Sequence, residues 1–278
     1  MYEYLSPVTT LEAVEILGGK QNLRILAGGT DLIIALKDRA VACDYLVDIK
    51  KIPELQKIEM TSEGLEIGAA VTLGEMLDSG LLKGWYKSLA QSAADVANSL
   101  LRNRATLVGN ICNASPGGDM LPACLVGNAV VKTISPAGGR TIPLKEFFTG
   151  VKKHVLTPTE IAAKVVLPYE EGQSAFRKKK RIRGHDLAQV SVAASYTKAG
   201  VLQIAFGAAA PTPLLIELGT YDAKALRAQK DELIEKALKS ATPISDVRSS
   251  KEYRMAMLRH LANEVIDEIL DEAGGKTS

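Results

Sequence analysis

The chain has 278 residues, of which 46% are hydrophobic, 24% charged and 5% aromatic, and its formal net charge is +2. At about 100 to 200 residues per domain this length allows two or three compact units, and the composition excludes a disordered or low-complexity chain. The near-neutral balance argues against a nucleic-acid partner, and no run approaches the roughly 18 apolar residues of a membrane span.

The N-terminal stretch MYEYLSPVTTLEAVEIL carries acidic residues early and no basic segment ahead of an apolar one. It does not read as a secretion signal, so a cytoplasmic location is expected. TLEAVEILGG (10–19) predicts a short amphipathic helix with Thr10 near its cap. LRILAGG then reads as a strand entering a glycine turn, LIIALKDR as a helix and DYLVDI as a strand, closing a small α/β unit near residue 55. A second unit opens with the alternating LEIGAAVTL and continues through a predicted helix over 85–101. The segment 102–125, RNRATLVGNICNASPGGDMLPACL, reads as long and irregular, the kind of stretch that is functional when it lies inside a compact domain. NAVVKTIS, a turn at PAGGR and EIAAKVVLP (160–168) complete this unit, and YEEGQS breaks the pattern near residue 172. Beyond it, VSVAASYTKAGVLQIAFGAAA predicts a β-hairpin turning at Ala199-Gly200, and 249–273 predicts a long amphipathic helix.

Cys43, Cys112 and Cys124 are widely spaced, form no Cys-x-x-Cys pair and do not cluster with His154, His185 or His260. No metal or iron–sulfur centre is expected in this chain. No nucleophile–base pairing is suggested either, so the chain itself shows no substrate chemistry. The basic run RKKKRIR (177–183) is open to two readings, a solvated strand edge or a contact with phosphate or an acidic partner.

Two loops carry the chemistry. In LAGGTDLIIAL (26–36), bare backbone at Gly28 and Gly29 permits a close approach to main-chain N–H groups, and Thr30 and Asp31 can cap the apolar run that follows. The residues alone leave open whether this is a phosphate cradle or a tight connection. No Gly-x-Gly-x-x-Gly occurs and no Gly-Lys-Ser/Thr follows these glycines, which argues against a Rossmann or P-loop nucleotide site. In the second loop, Thr106, Gly109, Asn110, Ser115 and Asp119 offer N–H groups, hydroxyls, a carboxamide and a carboxylate. That mix suits a dinucleotide: N–H and hydroxyl donors meet pyrophosphate, while a carboxylate accepts ribose hydroxyl protons. Phosphate would repel Asp119, which belongs at the sugar.

LAGGTDL together with RNRATLVGNICNASPGGDMLPACL resembles the two flavin-binding stretches of the FAD-binding medium subunit of the xanthine dehydrogenase and carbon monoxide dehydrogenase family of molybdenum hydroxylases. EIAAKVVLP, the basic segment before HDLAQVSVAA, AFGAAAPTP and DVRSSKEYRMAMLRHL follow in the order that family shows. The resemblance implies an α+β chain: a two-subdomain FAD-binding fold of the PCMH type over 1–172 (subdomains about 1–55 and 56–172), then a small C-terminal domain, 173–278, of antiparallel sheet plus helices. It implies that Leu26, Ala27, Gly28, Gly29, Thr30, Asp31 and Leu32 wrap the FAD pyrophosphate, the glycines bare because phosphate lies against them. Thr106, Gly109, Asn110 and Asn113 would contact the pyrophosphate and nearby sugar atoms, Asp119 the ribose, Ile161 the adenine or ring region, and Lys178 the flavin end. Where the family often has Gly-Thr-Ile-Gly-Gly-Asn, this chain reads ATLVGN, with Ala105 and Val108 in place of glycines. The implied function is electron transfer by FAD from [2Fe-2S] clusters in a small partner subunit to an acceptor such as NAD or a quinone. Molybdopterin would sit in a large partner subunit, within a dimer of heterotrimers. The alternative is a stand-alone FAD oxidoreductase of the same fold.

Overall fold

The computed structural model describes residues 2–182 and 184–274. Its first segment runs β1 (Glu3–Leu5), α1 (Thr10–Gly19), β2 (Leu23–Leu26), α2 (Leu32–Lys37) and β3 (Tyr45–Asp48). The three strands form a parallel sheet in the order β1-β3-β2. The cap expected near Thr10 is Thr9, whose hydroxyl accepts from the Glu12 amide at 3.1 Å, and Ala13 and Leu17 give α1 its buried stripe. At α2 the expected side-chain capping is absent: Asp31 is already helical and makes no cap bond. The reason is that Ile33 N–H donates to the Gly29 carbonyl at 3.0 Å, so the helical turn begins inside the glycine pair and leaves no extended cap position.

The second segment comprises β4 (Ile58–Thr61), β5 (Gly64–Gly68), α3 (Leu73–Asp78), α4 (Lys87–Asp95), α5 (Ser99–Arg102), α6 (Leu107–Asn113), α7 (Met120–Val126), β6 (Val130–Ile134), β7 (Thr141–Pro143), the short ribbon β8 (Phe148–Gly150) and β9 (Lys153–His154), and β10 (Ile161–Leu167). Its main sheet is antiparallel, in the order β4-β5-β10-β6-β7. Two expectations need correction here. The single helix expected over 85–101 is broken, because Ala97 takes a left-handed φ of 45° and Asn98 starts a new helix by accepting from Leu101 N–H at 3.0 Å. The segment expected to be irregular, 102–125, holds α6 and α7; Thr106 caps α6 and Ala114 ends it in the left-handed conformation, φ 47°.

The third segment is the antiparallel meander β11 (Gly172–Lys179), β12 (Val190–Thr197), β13 (Val201–Gly207) and β14 (Leu214–Thr220), covered by α8 (Ala223–Leu238) and α9 (Lys251–Ala273). The hairpin turns at Gly200 as expected, but α8, β11 and β14 lie outside the elements read from the sequence. Among the described residues no helix is long and apolar enough to cross a membrane.

This last sheet is buried on both faces, and strand periodicity sorts its residues between two cores. Val190, Val192, Ala194, Leu202, Ile204 and Phe206 pack under α8 and α9. Phe176, Ala193 and Ala205, on the opposite face, join the core built around the β4–β10 sheet. Polar residues on that opposite face make specific bonds to the second segment. Ser174 donates to the Trp85 carbonyl (2.6 Å) and accepts from Ser88 N–H (3.1 Å); Ser195 donates to the Val126 carbonyl (2.9 Å); Gln91 accepts from Phe176 N–H (2.7 Å). The sheet is thereby held in one orientation, and its alternation sends Ser174, Phe176 and Lys178 toward the loops of the second segment.

Replacing Ser174 by Ala strands the buried Ser88 N–H and the Trp85 carbonyl. The expected loss is about 1–3 kcal/mol in urea denaturation; unchanged stability would show that water can replace the hydroxyl.

Candidate functional site

The two loops singled out by composition touch through their backbones. A Cβ on Gly28 would overlap the carbonyl oxygen of Arg104 and stand 3.0 Å from Ala105 Cα, so only glycine lets the 27–31 turn lie against residues 104–105. Gly29 has φ +73°, and a Cβ there would meet Leu26 Cδ1 at 2.8 Å. The second loop is pinned from below by Leu73 N–H to the Ala105 carbonyl (2.8 Å) and by an antiparallel bridge between Thr72 and Thr106. Among the described residues, the N–H groups of Gly28, Gly29, Thr30, Asp31 and Leu32 find no protein acceptor.

Thr106 is buried, and its Oγ1 accepts from Gly109 N–H at 3.0 Å while its carbonyl accepts from Asn110 N–H at 3.0 Å. The hydroxyl proton of Thr106 has no protein acceptor among the described residues. After Ala114 the chain makes a tight turn, Gly118 N–H to the Ser115 carbonyl at 2.9 Å, that leaves the N–H groups of Ser115, Gly117 and Asp119 without protein acceptors among the described residues. Two outside segments hold this turn: Lys152 N–H donates to the Ala114 carbonyl (3.0 Å) and Ala208 N–H to the Pro116 carbonyl (2.6 Å). Asn110 Oδ1 and Asp119 Oδ1 are buried and have no hydrogen-bond partner among the described residues. Asp119 Oδ2 accepts from Lys178 Nζ at 2.6 Å, and that lysine side chain is 1% exposed. Burial pushes the Asp119 carboxyl up to about 6, against the opposing pull of Lys178.

The two loops thus carry free main-chain N–H groups, one hydroxyl proton and two buried acceptor oxygens. Orphaned buried acceptors call for a donor that the protein does not supply. A molecule with phosphate oxygens and sugar hydroxyls satisfies both halves, and FAD is such a molecule.

Residues 1–170 match the family model for the FAD binding domain in molybdopterin dehydrogenase, and residues 174–269 that for the CO dehydrogenase flavoprotein C-terminal domain. The chain belongs to the FAD-binding medium subunits of the molybdenum hydroxylases. This medium subunit is 31% identical to the putative xanthine dehydrogenase FAD-binding subunit of Escherichia coli K12, across 98% of this chain and 97% of the relative. It is 29% identical to the carbon monoxide dehydrogenase medium chain of Hydrogenophaga pseudoflava, over 96% of each. Among solved structures it superimposes on quinoline 2-oxidoreductase from Pseudomonas putida 86 with a TM-score of 0.87 at 26% identity, covering 98% of both chains.

Within this medium subunit, the residues expected at the cofactor divide into three sets. Leu26 to Leu32 and Thr106, Gly109, Asn110, Asn113 and Asp119 come from two loops that meet. The bareness of Gly28 and Gly29, however, is demanded by the protein itself, by the Arg104 carbonyl at Gly28 and by the left-handed φ at Gly29, whatever lies outside. Ile161 starts β10 with 2% exposure, pairs with Ile134 and belongs to the core under α6, so packing rather than an open contact surface is its structural role. Lys178 points to Asp119, with a second bond to the Asp95 carbonyl at 3.3 Å, instead of projecting freely. Val108, in place of a family glycine, sits inside α6 with an ordinary φ and distorts nothing. The sequence reading missed Ala208 and Lys152, whose backbones hold the 114–118 turn. The only trace of the first is the run of small residues in AFGAAA.

Gly28→Ala forces the two loops apart and is expected to cost about 1–3 kcal/mol by overpacking. Gly19→Ala, where a Cβ meets nothing within 4 Å, should stay within about 0.5 kcal/mol of the parent. Equal denaturation midpoints for the two variants would contradict the backbone contact.

Proposed function

We propose that this medium subunit binds one FAD without a covalent link and passes electrons from the [2Fe-2S] clusters of a small partner subunit to an external acceptor such as NAD or a quinone. In this reading the molybdopterin centre lies in a large partner subunit, two such heterotrimers associate, and the chain divides near residue 172 into FAD-binding and C-terminal domains. The observation that carries the reading is the meeting of two donor-rich loops beside the unpartnered oxygens of Asn110 and Asp119. Family membership supports the cofactor, and the medium chains of carbon monoxide dehydrogenases support the partners.

The free N–H groups of residues 28–32 and of Ser115, Gly117 and Asp119, with the Thr106 hydroxyl, hold the pyrophosphate by charge-assisted hydrogen bonds, each about 1.5–3 kcal/mol. Asp119 accepts from ribose hydroxyls, and Asn110 accepts from the same sugar or an adjacent hydroxyl. Ordered backbone donors have no side-chain entropy to lose, which suits tight retention of a cofactor. FAD supplies the redox chemistry when bound, and the chain supplies placement. The half-buried Cys112 takes no part: desolvation pushes its thiol up to about 12, far from the reactive thiolate.

The test uses the whole complex. Its iron–sulfur clusters are reduced with dithionite, excess reductant is removed, and re-oxidation by NAD or a soluble quinone is followed by absorbance before and after flavin removal. Re-oxidation should fail without flavin and return on adding FAD, and acid precipitation should release all yellow colour into the supernatant. Parent-rate re-oxidation of the flavin-free complex would overturn the electron-transfer role, and colour retained by the precipitate would overturn non-covalent binding.

A further inference from the structure

Lys178 is a buried cation with an unusual set of partners. It lies on β11 of the C-terminal sheet, on the face that strand alternation turns toward the second segment, together with Ser174 and Phe176. Its ammonium donates to Asp119 Oδ2 at 2.6 Å and to the Asp95 carbonyl at 3.3 Å, and the side chain is 1% exposed. It therefore has no open path to a bound molecule. Asp119 presents its other oxygen, Oδ1, unpartnered.

We propose that Lys178 is a positioning residue: it holds Asp119 ionised and fixed by one oxygen, so that the other oxygen stays an obligate acceptor for the ribose hydroxyls of FAD. This rests on the placement of Asp119 at the ribose given above.

Charge state decides what the Asp119 carboxyl can bind. A carboxyl acts purely as acceptor only when ionised; protonated, it offers a donor where ribose also brings donors. Burial favours the protonated form, and a cation in contact favours the ionised one. The charged groups facing Asp119 are Lys178 and, farther out, Lys180, both from β11 and its continuation, and Asp95 at the end of α4. Lys180 is itself engaged by Asp95 at 2.7 Å, so those two offset each other. Lys178 is then the principal counter-charge. Without it, the buried carboxyl takes up a proton at neutral pH and loses its preference for sugar hydroxyls. The arrangement also makes the C-terminal sheet a contributor to cofactor affinity without any of its side chains touching the cofactor.

The experiment is a fluorescence titration of the flavin-free full chain with FAD between pH 5.5 and 9. For the parent, affinity should be flat above neutrality and fall below about pH 6, approaching tenfold per pH unit as the free carboxyl protonates. Lys178→Met should move this bend above pH 7, leaving near-parent affinity only in alkali. Lys178→Gln is the second variant should the methionine protein fail to fold, with the same expected displacement. Lys178→Arg should leave the bend near its parent position. Asp119→Asn should weaken FAD roughly tenfold or more at alkaline pH and abolish the bend, and Lys178→Met added to Asp119→Asn should not restore it.

A bend unmoved in Lys178→Met or Lys178→Gln would overturn the proposal. So would a loss of affinity in those variants that is equal at every pH, which would mean direct contact between Lys178 and FAD. Asp119→Asn with parent affinity and an intact bend would instead remove Asp119 from the ribose site, which is failure of the underlying reading and is distinguishable from the first two results.

Discussion

The site depends on one close approach: the backbone of Gly28 against the carbonyl of Arg104. Two loops separated by more than seventy residues each carry free N–H groups, but neither alone can surround a pyrophosphate. The absence of a side chain at Gly28 lets the 27–31 turn lie directly against residues 104–105. The second loop is held independently of any ligand, by the bridge between Thr72 and Thr106 and by the bonds from Lys152 and Ala208 to the turn after α6. Bonds within the protein thus hold the second loop, which lowers the ordering cost that cofactor binding has to offset.

The C-terminal sheet completes this arrangement from the other side. Because both of its faces are buried, it cannot pivot on the second segment without breaking Ser174, Ser195 and Gln91 from their backbone partners. Arg177 adds an ion pair to Glu268 of α9 at 2.6 Å, and Glu268 also takes Lys87 of α4 at 2.8 Å, which ties the last helix to both segments. A rigid sheet with a period of two places Lys178 beside Asp119 as a consequence of register. The redox chemistry belongs to the cofactor and the geometry to this scaffold.

Much of this was legible in the sequence, for identifiable reasons. The helices 10–19 and 249–273 and the hairpin at Gly200 rest on strong local periodicity and turn chemistry, and the structure forms them within a residue or two. The donor-rich character of both loops was readable from their glycines, Thr106, Asn110 and Asp119. What stayed hidden is set by tertiary contacts. No local rule says that Gly28 is bare for the Arg104 carbonyl, or that an alanine at 97 or 114 adopts a left-handed φ to end a helix. The helices of 102–125 are obscured because each is only seven residues long, and the threonine cap of α6 and the Ser-Pro-Gly-Gly turn before α7 read as loop signals. Lys178 lies in a run of five consecutive basic residues that reads equally as a solvated edge or as a contact with phosphate or an acidic partner, and only the alternation of β11 separates the buried lysine from its neighbours.

The central claim is that the 26–32 and 104–119 segments act as one wall for FAD. Amide hydrogen exchange on the full chain, with and without FAD, tests it most directly. The account predicts that FAD slows exchange in both segments together, at Gly28 to Leu32 and at Ser115 to Asp119, with no comparable change in α8. Protection confined to one of the two segments, or to neither, would contradict it.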